Sequence, residues 1–222
     1  MIAINDRIDN ADKFFQMYWS YYLLLEKDFL DTERYLTIHE SNFTGFSIEF
    51  IKQYQAICSE IDVVSKAYCK ELDSEFKGNK IANYCECITN NVDDFTKRII
   101  ILSRHRLEIK PWDGWCYEYK IKKKGKKYPF SNSLPWWKSY NNVKHNRAAK
   151  TEGRFNYEYA NQKNVLYALA ALFQLEMYYF RTLHKKYFSN DPDMPSESTL
   201  FEIKDWGNRF YVRDRLAFAI EG

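Results

Sequence analysis

Residues 140–147 read Tyr-Asn-Asn-Val-Lys-His-Asn-Arg, and here the chain concentrates groups able to act on a phosphodiester. Cutting RNA without a metal needs a base for the 2′-hydroxyl and an acid for the leaving 5′-oxygen. It also needs a cation for the charge that develops on phosphate. His145 offers an imidazole, which titrates near neutrality and suits either proton-transfer role. Asn141 can orient a phosphate or the ring, and Lys144 and Arg147 flank His145 as cations. On a helix Lys144 and Arg147 share a face, while His145 points about 100° away from Lys144. Lys138 lies two turns before His145, so those two also share a face. The same residues admit a structural reading. Trp136, Trp137, Tyr140 and Val143 would pack the segment, and the asparagines would satisfy backbone groups near its ends. A second arginine–histidine spacing, Arg98 and His105, encloses an Ile-Ile-Ile-Leu run and precedes no long helix, so we read it as chance.

The elements that must position this segment are mostly helical. Phe14, Tyr18, Tyr21, Leu25, Phe29 and Leu36 recur at helical steps, predicting one long helix from Asn10 to about Ile38. Phe50, Tyr54, Ile57, Ile61, Val64, Tyr68 and Leu72 predict a second from Ser47 to about Glu75. A short connection makes the two antiparallel neighbours. Glu60 and Asp62 read as a solvated face, with Asp62 pairing Lys66; Glu60 turned towards the basic residues is the alternative. Lys80–Asn91 reads as a shorter helix. Residues 99–102 read as a buried strand or a helix end, and Trp115–Ile121 as a strand. The motif helix runs from Trp136 to about Arg147, with Ser133 or Asn132 as its cap and Pro135 in its first turn. The last long helix spans Asn161 to about Tyr187 and carries the longest apolar run, Val165–Phe173. Residues 201–203 and 210–212 are β-like pieces of a terminal hairpin or short helix.

Charge is distributed unevenly. Residues 1–75 carry 7 Lys/Arg against 14 Asp/Glu, whereas residues 76–190 carry 22 against 9. This fits a basic face for a polyanion, and equally an acidic part pairing with a basic part inside one fold. Lys122, Lys123, Lys124, Lys126 and Lys127 crowd the predicted tip after Ile121. They read as phosphate contacts without sequence preference, or as a solvated turn guarding a strand edge. The chain has 18 Tyr, 16 Phe and 6 Trp, ample for a core, while 7 Gly and 5 Pro argue against a turn-rich β sandwich. No apolar run approaches the roughly 18 residues of a membrane helix. Five cysteines in no ladder, with no signal-like N-terminus, make a cytoplasmic protein the expectation. Cys85-x-Cys87 lacks the second ligand pair of a zinc site, so no metal is expected.

Residues 136–187 resemble the HEPN family of helical-bundle proteins. Tyr140-Asn141-Asn142-Val143-Lys144-His145 overlays that family's Arg-Asn-x-x-x-His motif, with Asn141 and His145 in place and Tyr140 where the arginine would be. The sequence is closer to a Tyr-Asn-x-x-Lys-His-x-Arg variant, preceded by tryptophans and followed by an Ala/Leu-rich helix. The resemblance implies a mainly α, up-down bundle of four or five helices, here a single domain over 1–222. That domain would carry a small β hairpin excursion at about 99–130 and an appendage at about 191–222. It also implies RNA binding, or metal-independent endoribonuclease activity without a cofactor, in bacterial stress or defence. The site would be His145, Asn141, Arg147, Lys144 and Tyr140, with Lys138 and the tip lysines on RNA. A homodimer and an antitoxin partner complete the expectation. A non-catalytic helical module that binds a partner protein or a nucleotide is the alternative.

Overall fold

The computed structural model describes residues 13–121, 127–132, 134–187 and 197–206. Five α-helices lie among them: α1 (Ser20–Asp31), α2 (Ile48–Leu72), α3 (Ile81–Asn91), α4 (Pro135–His145) and α5 (Gln162–Tyr187). The chain is mainly α, with three small antiparallel sheets. β1 (Ile100–Leu102) lies between β2 (Leu107–Ile109) and β7 (Glu202–Ile203). β3 (Tyr117–Ile121) pairs with β4 (Lys127–Ser131), and β5 (Lys150–Thr151) with β6 (Arg154–Phe155). No described helix is long and apolar enough to cross a membrane.

α5 is the centre. Val165, Leu166, Leu169, Leu172 and Phe173 are buried, and so are Ala168, Ala170 and Ala171 between them. A helix that is apolar on nearly all sides must be covered on nearly all sides, and the small alanines let neighbours come close. α2 is its main partner, and α1 and α4 also pack on it. Asn161 opens α5 by accepting the Asn164 N–H at 3.0 Å, the hydrogen bond of an N-cap. Ser47 does the same for α2 through the Phe50 N–H.

The first predicted helix ends early. Residues Phe15–Trp19 wind as a π-helix, α1 stops at Asp31, and a 3₁₀ turn follows. Leu36 and Ile38 still pack on the core, but from a loop. A long-range bond holds that loop. The buried Gln162 side chain donates to the carbonyls of Leu36 and Thr37 at 3.1 and 3.0 Å. Those bonds tie the loop to the start of α5, a contact that periodicity in residues 25–38 does not reveal. Residues 100–102 resolve as a strand. The β excursion is two separate units, a hairpin and a three-stranded sheet completed by β7. The cap expected from Asn132 is absent: its side chain accepts the Cys116 N–H at 2.9 Å and donates to Gly114 instead. Ser133 and the 210–212 piece lie outside the described residues.

Two buried carboxyls differ in how they are satisfied. Glu26 on α1 accepts hydrogen bonds from Tyr22, Ser198, the Thr199 N–H at 2.7 Å and the Thr199 hydroxyl at 2.9 Å. That set fastens the C-terminal segment to α1. Trp206 extends the attachment by sitting edge-on to Tyr178 at 4.9 Å and under the Arg181 guanidinium at 4.5 Å. Glu176 on α5 is fully buried, and neither of its oxygens has a hydrogen-bond partner among the described residues. Burial first, and Glu60 second, push its carboxyl well above the ordinary 4.5. Glu60 itself is buried on α2 and its own carboxyl is raised by desolvation. It therefore belongs to neither a solvated face nor a basic site, while Asp62 and Lys66 are exposed but do not form the expected ion pair with each other.

Glu176 sets a pH dependence. Its folded-state pKa is raised, so above pH 4.5 the folded chain holds a proton that the unfolded chain releases. Stability contributed by the neutral carboxyl is complete below that value and is lost as pH rises towards the raised one. Glu176→Gln should therefore flatten the loss of stability between pH 5 and pH 8 seen in urea unfolding. Parallel curves for the two proteins across that range would contradict the burial of an unpaired carboxyl.

Candidate functional site

α4 has two chemically opposite sides. Trp136, Trp137, Tyr140 and Val143 are buried at i, i+1, i+4 and i+7. Trp136 donates its indole N–H to the Pro111 carbonyl at 2.7 Å and meets Trp112 edge-on at 5.5 Å. Trp112 in turn donates to the Ala171 carbonyl on α5 at 3.2 Å. Tyr54 of α2 donates to the Trp136 carbonyl and packs edge-on against Tyr140 at 5.8 Å. α4 is thus anchored to α2, to α5 and to the Pro111–Trp112 turn.

The motif residues divide along the same line. Tyr140 is a core side chain, wedged between Tyr54 and Trp137. Burial pushes its phenol up, and the neighbouring Lys144 amine offsets part of that rise. A buried, protonated phenol cannot do the work of the arginine whose motif position it holds. Asn141 donates to the Trp137 carbonyl of its own helix at 3.1 Å, a local backbone bond. Lys144 reaches back until its amine lies 5.5 Å from the Tyr140 ring centre. Lys138, Lys144 and His145 are exposed. Arg147, expected inside the helix, lies two residues beyond its end and is also exposed.

The turn beyond His145 is rigidly tied. Asn156 is buried; it donates through its side chain to the Asn146 carbonyl at 2.8 Å and through its backbone to Ala149 at 2.8 Å. Its side-chain oxygen accepts from Thr151 at 2.7 Å. The Tyr157 N–H donates to the Arg147 carbonyl at 3.2 Å. Between these bonds runs the β5–β6 hairpin, turned by Glu152 and Gly153, whose φ values are 54° and 83°. Two successive positive φ angles make the tight turn that matches strand twist, and glycine accepts one of them freely. The hairpin brings Lys150 and Arg154, both exposed, to the end of α4. Lys144, His145, Arg147, Lys150 and Arg154 thus gather at one end, and none of the five is ion-paired to another described residue.

Compared with family models, curated proteins and solved structures, the chain matches none. The reading of this end therefore rests on its own geometry.

The structure joins some expected site residues and separates others. His145, Lys144 and Arg147 share the end of α4, and Lys138 is exposed on the same helix. Lys127 starts β4, in a hairpin packed on α3, where Tyr117 donates to Asn90 at 3.0 Å and Tyr119 to Glu86. It is exposed on that separate element; Lys122, Lys123, Lys124 and Lys126 lie outside the described residues. Arg98 and His105 are spent on structure. Arg98 bonds Asp94 and the Tyr178 hydroxyl, and His105 meets Glu33 at 2.8 Å. Lys150, Arg154 and the Asn156 clamp were not legible beforehand; the Glu-Gly pair at the turn was the available signal. Among the described residues no three His, Cys, Asp or Glu side chains converge.

The division of α4 is testable. Tyr140→Ala should destabilise the fold by about 3 kcal/mol, as a large buried ring is lost, with Tyr140→Phe far milder. His145→Ala and Arg147→Ala should leave the unfolding midpoint within about 0.5 kcal/mol of the parent. A Tyr140→Ala protein as stable as the parent would show that this ring is not part of the core.

Proposed function

We propose that this chain is a HEPN-like RNA-binding protein that grips the RNA backbone with the open end of α4. The observation that carries the reading is the gathering of Lys144, His145, Arg147, Lys150 and Arg154, all exposed and free of ion pairs with described residues. Cations left without carboxylate partners on a rigid support are suited to phosphate oxygens, whose counterions they release on binding. The Asn156 bonds hold that support. On this reading α4 and α5 belong to the up-down bundle that the family resemblance implies, and the setting is bacterial stress or defence.

A ribonuclease reading draws on one observation, the accessibility of His145. Tyr140 is buried and Asn141 is bonded within its helix, so a single copy offers an imidazole and nearby cations but no second proton-transfer group in the motif. Two copies meeting at their α4 ends would supply a second His145 and a second Arg147. One imidazole would then take the 2′-hydroxyl proton and the other would protonate the 5′-oxygen, leaving a 2′,3′-cyclic phosphate and a 5′-hydroxyl. An antitoxin would act by covering this end.

Binding of a fluorescent single-stranded RNA should weaken steeply with salt. Replacing Lys144 and Arg147 together by alanine should lower affinity and reduce the slope of log K against log salt by about 1.4. A slope that the double variant leaves unchanged would remove these cations from the interface. If the protein also cuts, cleavage in EDTA should vanish in His145→Ala while binding persists. Absence of cutting by the parent protein would leave RNA binding alone as the activity.

A further inference from the structure

Three exposed or half-exposed aromatic rings adjoin the cation cluster and have no role in the fold's interior. Phe155 on β6 is 39 % exposed and Phe46 is 47 % exposed. Tyr157 lies between them, in the 3₁₀ turn after β6. It runs nearly parallel to Phe155, with ring centres 5.8 Å apart and planes at 22°. Phe46 meets Tyr157 edge-on at 5.6 Å. The ladder draws on two distant parts of the chain. Phe46 comes from the loop before α2, which docks where Gln162 and Lys163 donate to the carbonyls of Gly45 and Phe43, at 2.9 and 3.2 Å. A backbone bridge joins Phe46 to Asn161. Tyr157 is held by its bond to the Arg147 carbonyl. Phe46 at one end of the ladder and Tyr157 at its middle are therefore held by main-chain hydrogen bonds, and Phe155 by its β5–β6 pairing, although the rings are exposed or half-exposed.

The ladder has cations along its edge. Lys150 is the cross-strand partner of Phe155, and its amine lies 4.7 Å from that ring's centre. Arg154 precedes Phe155 and is exposed, and Arg147 is bonded through its backbone to Tyr157. Flat rings in contact with unpaired cations match a chain whose own flat rings alternate with phosphates. Single-stranded nucleic acid is such a chain: bases stack on protein aromatics while lysine and arginine follow the backbone. In a duplex the bases are already stacked on each other and cannot lie on the ladder.

We propose that Phe155, Tyr157 and Phe46 form a stacking platform for unpaired bases, which makes single-stranded RNA the ligand class of this end. The inference rests on the RNA-binding reading above and adds the base contacts to it. An arriving base takes the place of the Lys150 amine over Phe155, and the amine turns to the adjoining phosphate. The α4 cations hold the backbone, and the ladder selects strands whose bases are free.

Fluorescence anisotropy on the full chain tests this with three probes of equal length: oligouridylate, an abasic ribose-phosphate strand, and an RNA duplex. The platform predicts that oligouridylate binds at least about ten-fold tighter than the abasic strand, since each stacked base contributes on that order. Phe155→Ala and Phe46→Ala should each remove most of that advantage without weakening the abasic strand, and Phe155→Trp should keep it. Circular dichroism checks that the variants stay folded. Equal affinity for oligouridylate and the abasic strand, or Phe155→Ala indistinguishable from the parent, overturns the platform and leaves the cation reading standing. Failure to bind any probe at low salt overturns both. If Phe155→Ala changes the mass in solution but not RNA affinity, the ladder is a contact between copies and the platform is wrong.

Discussion

The structure depends on covering α5. Its run from Val165 to Phe173 has no polar face to offer water, so the chain folds by supplying neighbours on every side. α2 covers the most of it, α1 and α4 take further sides, and Trp112 reaches the Ala171 carbonyl directly. Each element that covers α5 has its inner side decided by that contact. What it shows to solvent is whatever the remaining positions hold.

That rule produces the basic end of α4. Burying Trp136 and Trp137 removes roughly 150–250 Å² of surface each from water, worth on the order of 4–6 kcal/mol gross per ring at about 25 cal/mol per Å². An exposed ion pair is worth at most about 1 kcal/mol. The aromatic side therefore determines how α4 is seated, and Lys138, Lys144 and His145 are displaced to the outside as its consequence. The Asn156 clamp then converts a helix end into a defined surface, because it holds the turn carrying Arg147 and the hairpin carrying Lys150 and Arg154. An exposed cationic surface is made here from residues that the core does not use, on a frame that the core holds.

The buried polar groups show the cost of this arrangement and how far it is met. Glu26 is satisfied by Tyr22 and by Ser198 and Thr199 from a distant segment, so a potential penalty becomes the fastening of the C-terminal strand. Glu176 has no such donors among the described residues, and burial pushes its carboxyl towards the neutral form. Two glutamates of the same type thus stabilise or burden the fold according to what the rest of the chain brings to them.

Much of the architecture was readable from spacing. The bounds of α2, α3 and α5 follow the apolar periodicity within a residue or a few, since each buries a continuous stripe or more. The polar aromatic segment was legible as a helix, which the structure places at Pro135–His145. Periodicity could not separate Leu36 and Ile38 from α1, because a loop can bury side chains as well as a helix can. The packing reading of Trp136, Trp137, Tyr140 and Val143 matches the four side chains that are buried, but spacing could not show that Arg147 lies beyond the helix. Nor could it show that Lys150, Arg154, Phe155 and Phe46 meet at one end, since Phe46 stands about a hundred residues from the hairpin. Local sequence by itself determined which segments must hide an apolar face, because that depends on residues three and four apart. Only the tertiary structure decided which polar residues share a surface, because that depends on long-range hydrogen bonds such as those of Gln162 and Asn156, whose partners no local pattern names.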